Sequence, residues 1–239
     1  MSTGKIDPEM RRHFDEAEKI RIHETPLRRP SLCATADTLR AHFASDVART
    51  ATELENPHVE PRVTDEERAR AVPASVLIAI VLREAGPTIL FTQREHGISF
   101  PGHWVFPGGR SDPNDATPIA TALRETEEEI GLGPERIELL GRLGDYVSHS
   151  GFRIAPAVAL VHPPFDLTPH PREVAAIAEI DLTQILDSSS YFLFRFRNRL
   201  DRAHFAMDST TEDLLLTGVT VSICIGLYAE LSKTHSGGS

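Results

Sequence analysis

Residues 124–129 read Arg-Glu-Thr-Glu-Glu-Glu, and they lie downstream of a glycine pair, Gly108 and Gly109. On a helix turning about 100° per residue, Glu125, Glu128 and Glu129 share one arc, while Glu127 points to the opposite side and can be given to solvent. Three carboxylates on one face repel by a few tenths of a kcal/mol per pair, roughly 0.2–0.5. A divalent cation resolves that conflict. Magnesium prefers oxygen ligands, keeps waters and binds substrate phosphates, so this face beside a glycine-rich loop suits a phosphate-processing metal site. Arg124, four residues before Glu128, is placed to pair with it and fix its orientation. The plainer alternative is a solvated charge run, the usual fate of glutamates on a helix, and the hexapeptide alone favours it. The context is the glycine pair, which lets the backbone bend and approach the helix or its ligand where a side chain would hinder.

The helix itself is bracketed by start and stop signals. Thr117 is a candidate N-cap, Pro118 sits at the first helical position and Gly131 stands just past the end. Ile119, Ala122, Leu123 and Ile130 form the apolar stripe that docks it on a sheet. Upstream, "ASVLIAIVLR" and "TILFTQRE" are strand-length apolar runs joined by "EAGP", which reads as a hairpin, and "HWVFPGG" is a third extended segment. Downstream, "IELLGRLGDYVSHSG" and "FRIAPAVALV" read as strands, and "TPHPREVAAIAEIDLTQIL" as a loop, a strand and a short helix. "YFLFRFRN" and "AHFAMD" could pair, and Glu212 to Leu231 closes the chain as a buried helix. The fold class expected is α/β (α+β): a mixed β-sheet sandwiched between helices.

Before Ala71 the texture differs. "DPEMRRHFDEAEKIRIHE" and "TADTLRAHFASDVARTATEL" read as helices separated by proline-rich polar stretches, so residues 1–70 are expected to be an N-terminal helical arm. Residues 71–232 form the main domain and 233–239 a disordered tail. The formal charge of −10 disfavours partnership with nucleic acid or an anionic membrane, and any phosphate ligand needs a local cation. Cys33 and Cys224 have no metal-ligand or redox spacing, and no apolar window has spanning length. A cytoplasmic protein is expected, with a homodimer exchanging its N-terminal helices as one arrangement such an arm permits.

The span "GG…RETEEEIGL" resembles the signature of the Nudix hydrolases, with Arg124, Glu125, Glu128, Glu129, Gly131 and Leu132 matching position by position. Two departures stand out. Thr126 occupies an apolar position, and the glutamate expected eight residues before Arg124 falls on Ala116, with one extra residue between Gly109 and Arg124 and with Asp112 or Asp115 nearby. That longer spacing, together with "ILFTQRE", "SHSGFRIAPAVALV", "PHPREVAAIAEIDLTQIL" and "LTGVTVSI", resembles the coenzyme A pyrophosphatase branch, over about residues 72–230. Phe100 stands where that branch has a histidine.

The resemblance implies a Nudix-type fold and metal-dependent hydrolysis of a nucleoside diphosphate derivative, with Mg2+ or Mn2+ as cofactor. Coenzyme A or acyl-coenzyme A would give 3′,5′-ADP and a phosphopantetheine; ADP-ribose, NADH and dinucleotides are the alternative substrates, and a non-catalytic Nudix-fold regulator is the alternative of another class. By the resemblance, Glu125, Glu128 and Glu129 are metal ligands, or one of them a general base, with Arg124 orienting them. Glu173 is the candidate for a further acidic residue recruited from beyond the signature, against an ordinary loop carboxylate paired with Arg172. Arg94, Gly108 and Gly109 are candidate substrate contacts. Trp104 and Phe152 are assigned to packing over stacking on a base, and His149 to a surface loop over catalysis.

Overall fold

In the computed structural model of the protein, residues 8–21, 35–44, 63–196, 199–209 and 214–233 are described. Chain order is α1 (Pro8–Glu16), β1 (Glu18–Arg21), α2 (Ala36–Ala44), α3 (Asp65–Arg70), β2 (Val72–Arg83), β3 (Gly86–Arg94), β4 (Trp104–Val105), β5 (Gly108–Arg110) and α4 (Pro118–Ile130). It continues with β6 (Ile137–Arg142), β7 (Tyr146–Val147), β8 (Phe152–Val161), β9 (Val174–Asp181), α5 (Leu182–Ile185), β10 (Tyr191–Phe196), β11 (Arg199–Ser209), β12 (Leu214–Thr217) and α6 (Gly218–Leu231).

Two apolar runs make the centre of the main sheet. β2 and β8 pair in parallel from Val72↔Phe152 to Val81↔Val161, and both faces of each are covered, which is why they read as continuous rather than alternating hydrophobic segments. β3 returns antiparallel to β2 as the expected hairpin; β4 and β9 extend it on one side, β6 on the other, and β5 and β7 are short additions. The alternation of side chains divides the core in two. Leu77, Ala79 and Val81 pack beneath α4 against Ala122 and Ile130, whereas Ile78 and Ile80 face the opposite cluster with Phe91, Leu143, Val158 and α6. α6 is predominantly apolar, with no strongly one-sided polar face, as suits a helix buried along most of its length. Among the described residues no helix is long and apolar enough to cross a membrane.

Three expectations are corrected. The first half of the arm is not simply helical: after α1, Glu18–Arg21 adds as the edge strand of a second sheet, ordered β1-β10-β11-β12. Asp65–Arg70, outside the two helices expected in the arm, is a further helix, started by Thr64 and Glu67 in a reciprocal capping box. Leu214–Thr217, read as the first turn of the last helix, is a strand paired with Ala206–Ser209, and the helix begins at Gly218, whose φ of 59° makes the turn. The second arm helix is confirmed over Ala36–Ala44, but it is part of the core: Leu39 is 0% and Phe43 7% exposed, and Phe43 lies over Gly141 of β6. The rest of that expected helix, Cys33, Glu212 and the tail from residue 234 fall outside the described residues.

Candidate active site

Helix α4 is terminated as its sequence dictates. The Thr117 hydroxyl accepts from the Ala120 amide at 3.1 Å, Pro118 supplies the first helical position, and Gly131, at φ 69°, closes the end by donating to Glu127 O. Loop residues 168–170 satisfy two of the last carbonyls, the amides of Thr168 and His170 donating to Ile130 O and Glu129 O. The helix therefore presents its glutamates from a fixed axis.

Those glutamates differ in environment. Glu129 is 5% exposed and receives the Gly108 amide at 3.1 Å. Burial lifts its carboxyl to about 7, with the neighbouring Glu125 and Glu173 pushing the same way and the Gly108 amide and Arg94 opposing. Glu125 is half-buried, and its carboxyl is also raised, chiefly by burial and against the pull of Arg124. Glu128 and Glu127 are exposed. Arg124 Nη1 bridges two members of the face, donating to Glu125 Oε1 at 2.9 Å and Glu128 Oε2 at 3.0 Å.

The glycine pair explains how the glutamates approach the loop. A Cβ on Gly109 would lie 2.3 Å from Glu125 Oε2, and one on Gly108, at φ 148°, would lie 2.3 Å from Ser75 O. Gly109 therefore makes room for a carboxylate and Gly108 for the neighbouring strand. Both contact the acidic face from the β5 side.

Arg124 has a partner that the spacing did not single out. Asp115 accepts from Arg124 Nε at 3.0 Å and Nη2 at 2.9 Å, a two-toothed pair, and also receives the Thr121 hydroxyl and the Asp112 amide. Its carboxyl is held far below the usual carboxylate range, first by the Arg124 hydrogen bonds. The extra residue in the loop thus carries an acid one position before Ala116, and that acid grips the arginine. The signal available in the sequence was "SDPND", an aspartate-rich turn whose Asp112 caps Asn114. Thr126, at the position that is apolar in the signature, is buried and returns its hydroxyl to Ala122 O at 2.6 Å, so it packs without an unpaired group.

Glu173 and Arg94 reach the same region from the sheet. Glu173 O receives the Glu95 amide, and the Glu173 charge bears on both Glu125 and Glu129; its carboxylate is 3.5 Å from His170 Nδ1. Arg94, at the end of β3, bears on Glu129 and donates from Nε to Ser99 O at 2.7 Å. Among the described residues no three acidic, histidine or cysteine side chains converge on one point. The donor chemistry nonetheless suits a hard divalent cation: carboxylate oxygens only, two of them desolvated and mutually repelling beside each other. Trp104 is buried in the core and Phe152 half-buried under Arg110, so packing is their use; His149 is half-buried in its loop.

The NUDIX domain family matches residues 72–200 of the chain. That span holds the helix, the glycine pair and both central strands. The chain belongs to the Nudix family. It is 35% identical over 172 residues to the protein called Uncharacterized Nudix hydrolase NudL of Photorhabdus laumondii, covering 72% of this chain and 89% of that one. With the NudL of Yersinia enterocolitica it is 43% identical over 122 residues, which is 50% of this chain and 61% of the relative. Among solved structures, the Nudix hydrolase RenU of M. smegmatis matches with a TM-score of 0.42 at 21% identity, over 48% of this chain and 73% of that one. The protein is a Nudix hydrolase, a class that acts on nucleotide pyrophosphates and works with divalent metal ions. In this Nudix hydrolase the signature helix, its glycine pair and the Glu173 loop meet on one side of the main sheet.

Proposed function

We propose that the site hydrolyses the pyrophosphate linkage of a nucleoside diphosphate derivative, with coenzyme A or acyl-coenzyme A the preferred substrates. The observation that carries this reading is the acidic face of α4: Glu125, Glu128 and Glu129 together, bracketed by Arg124 and reached by Gly108 and Gly109. Glu125, Glu128 and Glu129 would hold the divalent metal, Mg2+ or Mn2+, which when bound offsets charge on phosphate oxygens and acidifies a water. Arg124, itself clamped by Asp115, holds Glu125 and Glu128 in place. Should one of the three act as base, Glu129 is the most sheltered of them, 5% exposed and fixed by the Gly108 amide. Glu173 adds negative charge beside that pair, and Arg94 supplies a cation in an acidic protein whose substrate is an anion. The preference for coenzyme A rests on the aspartate-bearing loop between Gly109 and Arg124 and on the resemblance of the flanking segments.

A panel of coenzyme A, acyl-coenzyme A, ADP-ribose, NADH and diadenosine polyphosphates, run with magnesium and with manganese and read by mass of products, tests it. We expect 3′,5′-ADP with a phosphopantetheine from the first two. Glu128→Gln and Glu129→Gln should each nearly abolish turnover in a folded protein, and turnover retained by both variants would remove the assignment.

A further inference from the structure

The connection between β3 and β4, residues 95–103, is pinched shut around Arg94. The Arg94 amide donates to His103 O at 2.9 Å, the Gly102 amide returns to Arg94 O at 2.9 Å, and Gln93 Nε2 reaches Gly102 O. Arg94 Nε then crosses the loop to Ser99 O. The residue after Ser99 is Phe100, and it is anomalous twice over. It is 55% exposed, the most exposed of the large hydrophobic side chains among the described residues, and its φ of 58° makes it the one non-glycine residue among them on the positive side.

A bulky side chain in the left-handed region is strained. The core gains nothing from it, because the ring is outside: its ring contact is edge-to-face with His103, centroids 6.0 Å apart at 82°. His103 is in turn anchored, Nδ1 lying 3.2 Å from the Thr217 hydroxyl at the junction of β12 and α6. The loop spends strain to hold an aromatic face in solvent, propped by a second ring. Its position is at the rim of the acidic site, since Arg94 bears on Glu129 and the next residue, Glu95, is hydrogen-bonded to the backbone of Glu173.

We infer that Phe100 is a stacking platform for the nucleobase of the substrate, with Arg94 and the loop neck fixing its distance from the hydrolytic face. A nucleobase is the planar group that a nucleoside diphosphate brings to such a rim, and a ring standing clear of the core, braced on one edge by His103, leaves a face for it. The inference rests on the functional reading above and deepens it by naming a residue that selects nucleotide over other diphosphates.

The test is equilibrium binding to the full-length protein, in magnesium, of ADP and of ribose 5-diphosphate, which carries the same sugar and phosphates without a base. Wild-type protein should prefer ADP by about tenfold, the scale of one base stacked on one ring. Phe100→Ala and Phe100→Gly should bring ADP down to the level of ribose 5-diphosphate and leave the latter unchanged, while Phe100→Trp keeps the preference. The glycine variant relieves the backbone strain, and unchanged binding of the base-free ligand certifies its fold. A preference for ADP that survives in Phe100→Ala, or an equal loss of both ligands, overturns the platform, as does a wild type that binds both alike. Failure of ADP to bind wild-type protein would overturn the nucleotide reading itself.

Discussion

At the scale of single residues, the site is organised by a competition for one arginine. Arg124 faces Asp115, Glu125 and Glu128 together, and the bidentate pair with Asp115 is the more sheltered, its carboxylate only 8% exposed against 60% for Glu128. Removing Asp115 takes away the bidentate anchor of the guanidinium, so Arg124 no longer fixes the positions of Glu125 and Glu128. Asp115→Ala should therefore lower kcat by about tenfold or more, as loss of an outer hydrogen-bond partner does around metal sites, with the fold preserved. A kcat within twofold of wild type would show that Glu125 and Glu128 hold Arg124 unaided. The glutamate face was legible in the sequence because helical spacing alone collects residues 125, 128 and 129. Asp115 was not, because its contact with Arg124 depends on how a loop of irregular backbone folds back, and no periodicity reports that. Ala116, the position where the signature has its glutamate, pointed to Asp112 and Asp115 beside it without saying which one carries the charge or that it binds Arg124.

At the scale of elements, the two glycines ahead of α4 do different work although they are adjacent and identical. A side chain on Gly108 meets backbone, Ser75 O at 2.3 Å and Val76 Cα at 2.6 Å, and must also adopt φ 148°. A side chain on Gly109 meets first the flexible end of Glu125, whose Oε2 would lie 2.3 Å away. Gly108→Ala is thus expected to destabilise the protein as a whole, by about 1–3 kcal/mol for strain at a special backbone position. Gly109→Ala should leave the unfolding midpoint nearly unchanged while activity collapses, because Glu125 is pushed aside. Denaturant unfolding and turnover measured on both variants separate the two; a Gly109→Ala protein with full activity would break the link between this glycine and Glu125. The elements that sequence reading misplaced share a cause. Glu18–Arg21 is four residues of charged and apolar character whose strand state comes entirely from its partner Tyr191–Phe196, a contact at a sequence separation no local pattern can carry. Leu214–Thr217 likewise extends a helical-looking apolar run and is a strand only because β11 lies beside it. Asp65–Arg70 differs: Thr64 and Glu67 are a capping box in plain sight, outweighed by the prolines before them.

At the scale of the whole molecule, α2 is a core helix of the main domain. Leu39 and Phe43 sit in the same apolar cluster as Ile78, Val158 and Leu227, and the buried His42 lies 3.2 Å from Glu230 of α6. An appended arm would tolerate truncation of its apolar side chains; a core helix would not. Leu39→Ala should cost about 2–5 kcal/mol of unfolding free energy, the range for a leucine removed from a packed interior, and a change below 0.5 kcal/mol, on the order of a surface substitution, would return α2 to the status of an appendage. The outer side of the same helix is tied by charge. Arg40 Nε and Nη2 donate to the two oxygens of Glu138 on β6 at 2.7 and 2.8 Å, and His162 Nε2 lies 2.8 Å from the same carboxylate. The Arg40 hydrogen bonds lower the Glu138 carboxyl to about 2, below its unfolded value, so the pair's stabilisation is present above the ordinary carboxylate range near 4.3 and is lost as pH falls toward 2. The carboxylate is partly exposed and salt screens it, so the effect is small and is best read as a difference. The melting midpoint of wild type should exceed that of Glu138→Gln by a constant amount from pH 5 to 7, and the gap should close progressively from about pH 4.3 downward, where the unfolded chain's carboxyl takes up a proton that the folded one, at about 2, does not yet bind. A gap independent of pH down to 3 would mean that shape rather than the Arg40–Glu138 charge pair seats α2 on the sheet.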